Sequence, residues 1–125
     1  MTTSQDSSGL FSLAGKISLV TGAGGEIGQA LAAGLAANGS KVALSDIDQT
    51  AAERAAEAIR DNGGQAIALA HDVTSPQSWK QVFDAVTETW GAVNILVNVA
   101  GVIPGRAAVL ADLPLEEWRR FHAVN

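Results

Sequence analysis

The stretch Leu19–Gly28, which reads Leu-Val-Thr-Gly-Ala-Gly-Gly-Glu-Ile-Gly, constrains the possible fold most strongly. A short apolar run precedes it, and an alanine-rich segment with Ile27, Leu31 and Leu35 four residues apart follows it. This pattern predicts a strand, a glycine turn and a helix. Glycines let a ligand approach the main chain, and the helix directs unpaired N–H groups at the turn. The stretch therefore predicts a phosphate site, although a single glycine turn is also compatible with a connection that binds nothing.

The rest of the chain continues the alternation of strands and helices. We predict strands over 17–21, 41–45, 65–70 and 93–97. We predict helices over 26–38, from the cap Asp48 to about 61, from Ser75-Pro76 to about 90, and from near Pro114 onward. The spacing favours parallel βαβ units, and the apolar strands need helices on both faces. The predicted fold class is α/β, a doubly wound parallel sheet that looks incomplete, since no strand follows the last helix.

Composition excludes several classes of function. The net charge is −5, and the eight Lys and Arg residues are scattered, so nucleic-acid binding is disfavoured. The chain has no cysteine, and we interpret His71 and His122 as ordinary residues, so no metal site is predicted. Residues 1–14 are predicted to be a flexible leader without signal-peptide features. No apolar run approaches membrane-spanning length, and we predict a soluble cytoplasmic protein with no membrane partner.

Asp46 is the acid expected of a dinucleotide-binding site. It ends the second predicted strand, at about the 20 residues beyond the glycine turn where such folds place an acid for the adenosine ribose. Its carboxylate would accept hydrogen bonds from ribose hydroxyls and repel a 2′-phosphate, which predicts NAD as the cofactor. The alternative is a solvated loop aspartate, and capping of the second helix accounts for the neighbouring Asp48.

Four motifs in this order resemble the short-chain dehydrogenase/reductase family: Thr21–Gly28, Asp46, Asp72-Val73 and Asn98-Val-Ala-Gly101. The similarity runs from about Leu13 to Asn125. The resemblance implies a Rossmann-type sheet that binds a nicotinamide cofactor, with hydride transfer between that cofactor and a small-molecule alcohol or carbonyl substrate. It makes 15–125 the N-terminal part of a single NAD-binding domain. It also implies a homo-oligomer in the full-length form.

The resemblance also implies site residues. The positions that match cofactor-binding residues of the family are Thr21, Gly22, Gly24, Gly25, Ile27, Gly28, Asp46, Asp72, Val73, Asn98, Ala100 and Gly101. Asp72 matches the aspartate that bonds the adenine amine, with a helix cap as its alternative role. Asn125 matches the catalytic-site asparagine and shares a helix face with Trp118 and Phe121. We expect that face to be buried, so the amide needs a hydrogen-bond partner; the alternative is a surface residue at a frayed end.

The chain also departs from the family pattern. Glu26 stands where the family's turn has its middle glycine, and Val99 replaces the second asparagine of the Asn-Asn-Ala-Gly motif. The chain contains no tyrosine, so the family's Tyr-x-x-x-Lys pair is missing and we expect this chain alone to be inactive. A non-catalytic nucleotide-binding or interaction module is the competing interpretation. A flavodoxin-like or receiver-type domain is disfavoured, because a receiver needs acids where this chain has glycines.

Overall fold

Parallel strands and helices alternate in a computed structural model that describes residues 9–102 and 112–125. The elements are β1 (Ile17–Thr21), α1 (Glu26–Ala37), β2 (Lys41–Asp46), α2 (Gln49–Asp61), β3 (Ala66–Ala70), α3 (Pro76–Thr89), β4 (Ile95–Asn98) and α4 (Leu115–Val124). Every predicted element is present. The predicted ends are close, and the largest shift is at β4, which begins at Ile95 and not at 93. The α/β prediction is confirmed.

The strands form one sheet in the order β3-β2-β1-β4. Thr21 of β1 pairs with Ser45 on one side and with Asn98 on the other, so three carboxyl ends lie level at one edge. The chain adds β2 and β3 to one side of β1 and then returns to add β4 to the other. In such sheets the crevice at the reversal is where ligands bind.

Helices cover both faces of the two central strands. Val20, Val42 and Leu44 face a core that contains small residues of α1 and α2, including Ala32 and Ala56. Leu19 and Ala43 face the opposite core, which contains Val82 and Val86 of α3. Every residue of β1 is buried, including the polar Ser18 and Thr21, so the strand has no solvent-facing side. The doubly wound arrangement is therefore confirmed.

The predicted helix ends are confirmed by their capping contacts. The Asp48 side chain accepts a hydrogen bond from the Ala51 N–H, and Ser75 accepts one from the Ser78 N–H. After α1 and α2 the chain turns at Gly39 and Gly63, which have φ of 103° and 88°. Glycine reaches this left-handed region without a Cβ penalty, which stops both helices.

The expected burial of α4 is wrong. None of its residues is buried, and Trp118 is 44% exposed. Helical periodicity identifies an apolar face but does not supply a surface to cover it. β4 pairs only with β1 and forms an edge of the sheet among the described residues, and none of those residues buries the apolar face of α4.

The predicted leader falls partly outside the described residues, because 1–8 are not among them. Within the described part of the leader, the Leu13 N–H donates to the Asn38 carbonyl at 2.7 Å. Leader flexibility stays a prediction. Of the helices in the described ranges, none combines the length and the apolar character that crossing a bilayer requires.

Candidate functional site

A cleft of about 550 Å³ opens at the carboxyl edge of the sheet. Its walls come from the turn after β1, the ends of β2 and β3, the loop after β4 and the end of α4. Most of the predicted cofactor-binding residues line it, namely Gly22, Gly25, Ile27, Gly28, Asp46, Asp72, Val73, Ala100 and Gly101. The fold therefore brings together motifs that lie far apart in sequence.

Three of the predicted cofactor-binding residues do not line the cleft: Thr21, Gly24 and Asn98. Thr21 is 1% exposed, and its Oγ1 accepts hydrogen bonds from the N–H groups of Val99 and Ala100 at 3.1 and 3.2 Å. Asn98 is exposed beside Thr21 in the sheet register. Thr21 therefore acts on the cleft indirectly, because it holds the loop after β4 against the end of β1.

Two glycines bring the cleft walls together through main-chain contacts. Gly22 has φ of 65°, and a Cβ there would lie 2.6 Å from the Ala100 nitrogen. A Cβ on Gly28 would collide with the Gly22 carbonyl oxygen. The glycine pattern therefore has a steric origin, since β1, α1 and the loop after β4 meet without side chains between them.

The start of α1 presents unpaired N–H groups to the cleft. The N-cap is Gly25, which has no side chain to cap the first turn. The Gln29 N–H donates to the Gly25 carbonyl, so the N–H groups that precede Gln29 in the helix lack an intrahelical partner. Such an N-terminus attracts anions. The described residues that line the cleft include the carboxylates of Glu26, Asp46 and Asp72 but no lysine or arginine. Backbone dipoles are thus the positive groups that these residues contribute.

The Asp46 carboxylate joins two turns. Its Oδ2 accepts the Gly24 N–H and its Oδ1 accepts the Asp48 N–H, each at 2.9 Å. A carboxylate has about four acceptor positions, so each oxygen keeps one free position beside the cleft. Gly24 permits this contact, since a Cβ on it would lie 2.9 Å from the Asp46 Oδ2.

Asp72 lies in the loop after β3, next to His71. Its Oδ1 accepts hydrogen bonds from the Thr74 hydroxyl at 2.6 Å and from the Thr74 N–H at 2.9 Å. These two bonds lower the pKa of the Asp72 carboxyl, so it carries its charge at neutral pH. The alternative role as a helix cap is wrong, because Ser75 caps α3.

Asn125 holds the loop after β4. Its Oδ1 accepts the Val102 N–H at 2.7 Å, and its Nδ2 donates to the Val102 carbonyl at 2.9 Å. The amide therefore has the partner expected from the sequence, although its helix face is not buried. Gly101 allows the approach, since a Cβ there would lie 3.2 Å from the Asn125 Oδ1. Both ends of the amide are used to position the backbone.

His71 is a cleft residue that the sequence reasoning missed. It is 3% exposed, its Nδ1 lies 2.8 Å from the Ser45 Oγ, and its Nε2 has no partner among the described residues. Burial lowers the pKa of the imidazole, and the nearby Asp72 partly opposes this. The only local signal was a histidine directly before Asp72 at a strand end. Across the described ranges, no three of the His, Asp and Glu side chains group as metal ligands would.

Comparison with known proteins identifies the family to which this chain belongs. A family model described as short chain dehydrogenase matches residues 16–125. The 7alpha-hydroxysteroid dehydrogenase of Escherichia coli K12 is 38% identical over 113 residues, which is 90% of this chain and 43% of that protein. The D-threitol dehydrogenase of Mycolicibacterium smegmatis is 37% identical over 115 residues, or 92% of this chain and 44% of that protein.

A solved structure agrees with these relatives. The crystal structure of a dehydrogenase/reductase from Sinorhizobium meliloti 1021 matches with a TM-score of 0.89 and 32% identity, over 96% of this chain and 47% of that one. The chain belongs to the short-chain dehydrogenase family, as the motifs predicted. It spans a little under half the length of each of these three relatives.

Proposed function

We propose that this chain provides the cofactor-binding half of an NAD-dependent oxidoreductase, which transfers hydride between nicotinamide and a small alcohol or carbonyl substrate. The observation that carries the proposal is the meeting of the uncapped α1 N-terminus and the anchored Asp46 carboxylate in one cleft. Membership of the short-chain dehydrogenase family supports the reaction class.

The turn after β1 suits the cofactor's pyrophosphate. Gly25 leaves the main chain uncovered, because a Cβ on it would meet only the Gly22 carbonyl oxygen, at 3.6 Å. The first N–H groups of α1 point from this turn and favour an anion. Glu26 opposes them as a charge on the same wall. The residues present therefore fit a phosphate group, with affinity limited by Glu26.

Asp46 suits an unmodified ribose. Its two oxygens each keep a free acceptor position for a ribose hydroxyl. Its backbone hydrogen bonds hold the carboxylate in place, so it would not swing away from a 2′-phosphate. No lysine or arginine among the described cleft residues offers such a phosphate a partner. These features favour NAD over NADP, and Asp72 with Val73 is proposed to receive the adenine.

The bound nicotinamide would supply the hydride acceptor or donor, and this chain's residues would bind and orient it. The small residues Ala100 and Gly101 leave room in the cleft, and Asn125 fixes the adjoining Val102 backbone. We therefore assign Asn125 a positioning role at the end of the cleft that would receive the nicotinamide.

A non-catalytic nucleotide-binding module is the alternative, motivated by the absence of tyrosine from this chain. The cytoplasmic location and the homo-oligomeric full-length form stay predictions.

The test compares NAD⁺ and NADP⁺ affinity by calorimetry at one salt concentration. The wild-type protein should prefer NAD⁺, and Asp46→Asn should reduce the preference about tenfold, which corresponds to roughly 1.4 kcal/mol of carboxylate–phosphate repulsion. Asp48→Asn is the matched control, because Asp48 caps α2 and does not line the cleft. Equal wild-type affinity for the two cofactors, or equal effects of the two variants, would contradict the assignment. Substrate turnover by the full-length form, and not by the 125-residue chain alone, distinguishes an enzyme from a non-catalytic module.

A further inference from the structure

We propose that His71 is a positioning residue that holds Asp46 and Asp72 at the cleft only while its imidazole is neutral, so that NAD binding weakens when the ring takes up a proton. The inference rests on the proposed function, because it assigns those two acids to the cofactor. His71 itself is assigned no cofactor contact, since its Nε2 is buried in the cleft wall.

His71 ties the end of β3 to the end of β2 in two ways. Its backbone N–H donates to the Asp46 carbonyl at 2.9 Å, and its ring Nδ1 lies 2.8 Å from the Ser45 hydroxyl. Asp72 is the next residue in the chain. The two acids are thus connected through the backbone and the ring of one histidine.

Helix α3 holds the same ring from another side. Trp79 packs edge-on against the imidazole, with ring centroids 4.3 Å apart. The indole Nε1 also donates to the Val73 carbonyl at 2.9 Å. Val73 follows Asp72 and lines the cleft. A movement of the His71 ring would therefore disturb the loop that carries Asp72 and Val73.

The contacts of the Ser45 hydroxyl favour one tautomer of the neutral ring. The Ser45 Oγ lies 2.8 Å from the His71 Nδ1 and 3.4 Å from the Val20 carbonyl oxygen, which can only accept, so a hydroxyl that donates to Val20 accepts from the His71 Nδ1–H. Nε2 then carries a lone pair. Protonation would place an N–H and a charge at a buried atom that has no acceptor among the described residues. Both are costly, and the cost is relieved if the ring leaves its site.

The charges around the ring set the direction of its response. Asp72 adjoins it in the chain and favours the protonated form, while Asp46 at the end of β2 is engaged with the Gly24 and Asp48 N–H groups. From α3 the neighbour is the uncharged Trp79, and the charged pair Lys80–Asp84 of that helix bonds internally at 2.6 Å. Burial outweighs Asp72 and lowers the pKa of His71, so the ring is neutral at physiological pH.

The experiment measures NAD⁺ affinity of the intact protein by calorimetry at about pH 8 and about pH 5, on either side of the usual histidine range. The affinity for NAD⁺ should fall about tenfold at the lower pH, because only the molecules with a neutral His71 ring remain able to bind NAD⁺. His71→Asn retains a side-chain N–H for Ser45 but cannot titrate, so its affinity should change by less than about threefold over this range. His122→Asn is the matched control, since His122 is exposed on α4, and it should behave as wild type.

A second measurement follows the Hε1 proton of His71 by NMR in the wild-type protein without cofactor. The ring should titrate below the ordinary pKa of about 6.5, in the range where affinity falls. If His71→Asn does not fold, His71→Gln, which also cannot titrate, replaces it.

Binding of NAD⁺ at the higher pH with no loss at the lower one, or the same loss in His71→Asn, overturns this inference alone. Absence of NAD⁺ binding at every pH overturns the proposed function as well.

Discussion

The steric role of Gly22 leads to the sharpest prediction, for the substitution Gly22→Ala. The added Cβ would lie 2.6 Å from the Ala100 nitrogen, 2.7 Å from its Cα and 3.0 Å from the Val99 carbonyl carbon. These are backbone atoms, and the Thr21 hydroxyl holds the loop by its two N–H groups. The loop can make room only if it breaks those hydrogen bonds.

The expected cost has two parts. An alanine at φ of 65° loses about 1 kcal/mol to the left-handed conformation. Loss of two hydrogen bonds adds about 1 kcal/mol each, so Gly22→Ala should lower the free energy of unfolding by about 3 kcal/mol. For a domain of this size that is a drop in Tm of about 10 °C. NAD⁺ affinity should also fall, because the loop that moves carries Ala100 and Gly101.

Two other glycines provide matched controls. Gly63 has φ of 88° and Gly34 lies within α1, and a Cβ at either would meet nothing within 4 Å. Gly63→Ala should cost about 1 kcal/mol, whereas Gly34→Ala should stabilise by up to about 1 kcal/mol. Urea unfolding of the intact protein, followed by circular dichroism, measures all three. A cost for Gly22→Ala no larger than that for Gly63→Ala would refute the steric argument.

Thr21→Val should destabilise by about 2 kcal/mol because two N–H groups lose their acceptor, whereas Thr21→Ser should be milder in urea unfolding. Glu26→Gln should tighten NAD⁺ binding about threefold by removing a like charge beside the pyrophosphate. Glu26→Gly should do the same and lower stability by about 1 kcal/mol, and no gain in calorimetry would mean that the carboxylate points away. The 125-residue chain alone should not oxidise NADH with a panel of ketones, aldehydes and sugars, because it lacks the tyrosine that serves as proton donor in this family; substrate-dependent loss of NADH absorbance would contradict this. Because burial lowers the pKa of His71 in the folded state, the unfolded chain takes up its proton first. The free energy of unfolding should therefore fall as the pH drops below about 6.5, and fall less in His71→Asn.

Local sequence patterns were sufficient to predict the elements, most of their ends and the class of the fold. Asp48, Ser75, Gly39 and Gly63 mark helix ends through contacts within a few residues, so local chemistry is sufficient. The order of strands and helices then restricts the topology to parallel βαβ units. Asp46 was predicted as a site residue from its distance to the glycine turn, which the βαβ geometry makes nearly constant, and it lines the cleft.

The contacts of the predicted residues depend on segments that are distant in sequence. Asn125 needed a partner, but Val102 became that partner only when two segments 23 residues apart came together. Likewise, Ser45 and His71 are separated by 26 residues, and no periodicity indicates that their side chains meet. The exposed face of α4 shows the same limit, because a helix pattern does not specify its covering surface. Local rules act over one or two turns of chain, whereas the burial of His71 depends on where β2, β3 and α3 converge.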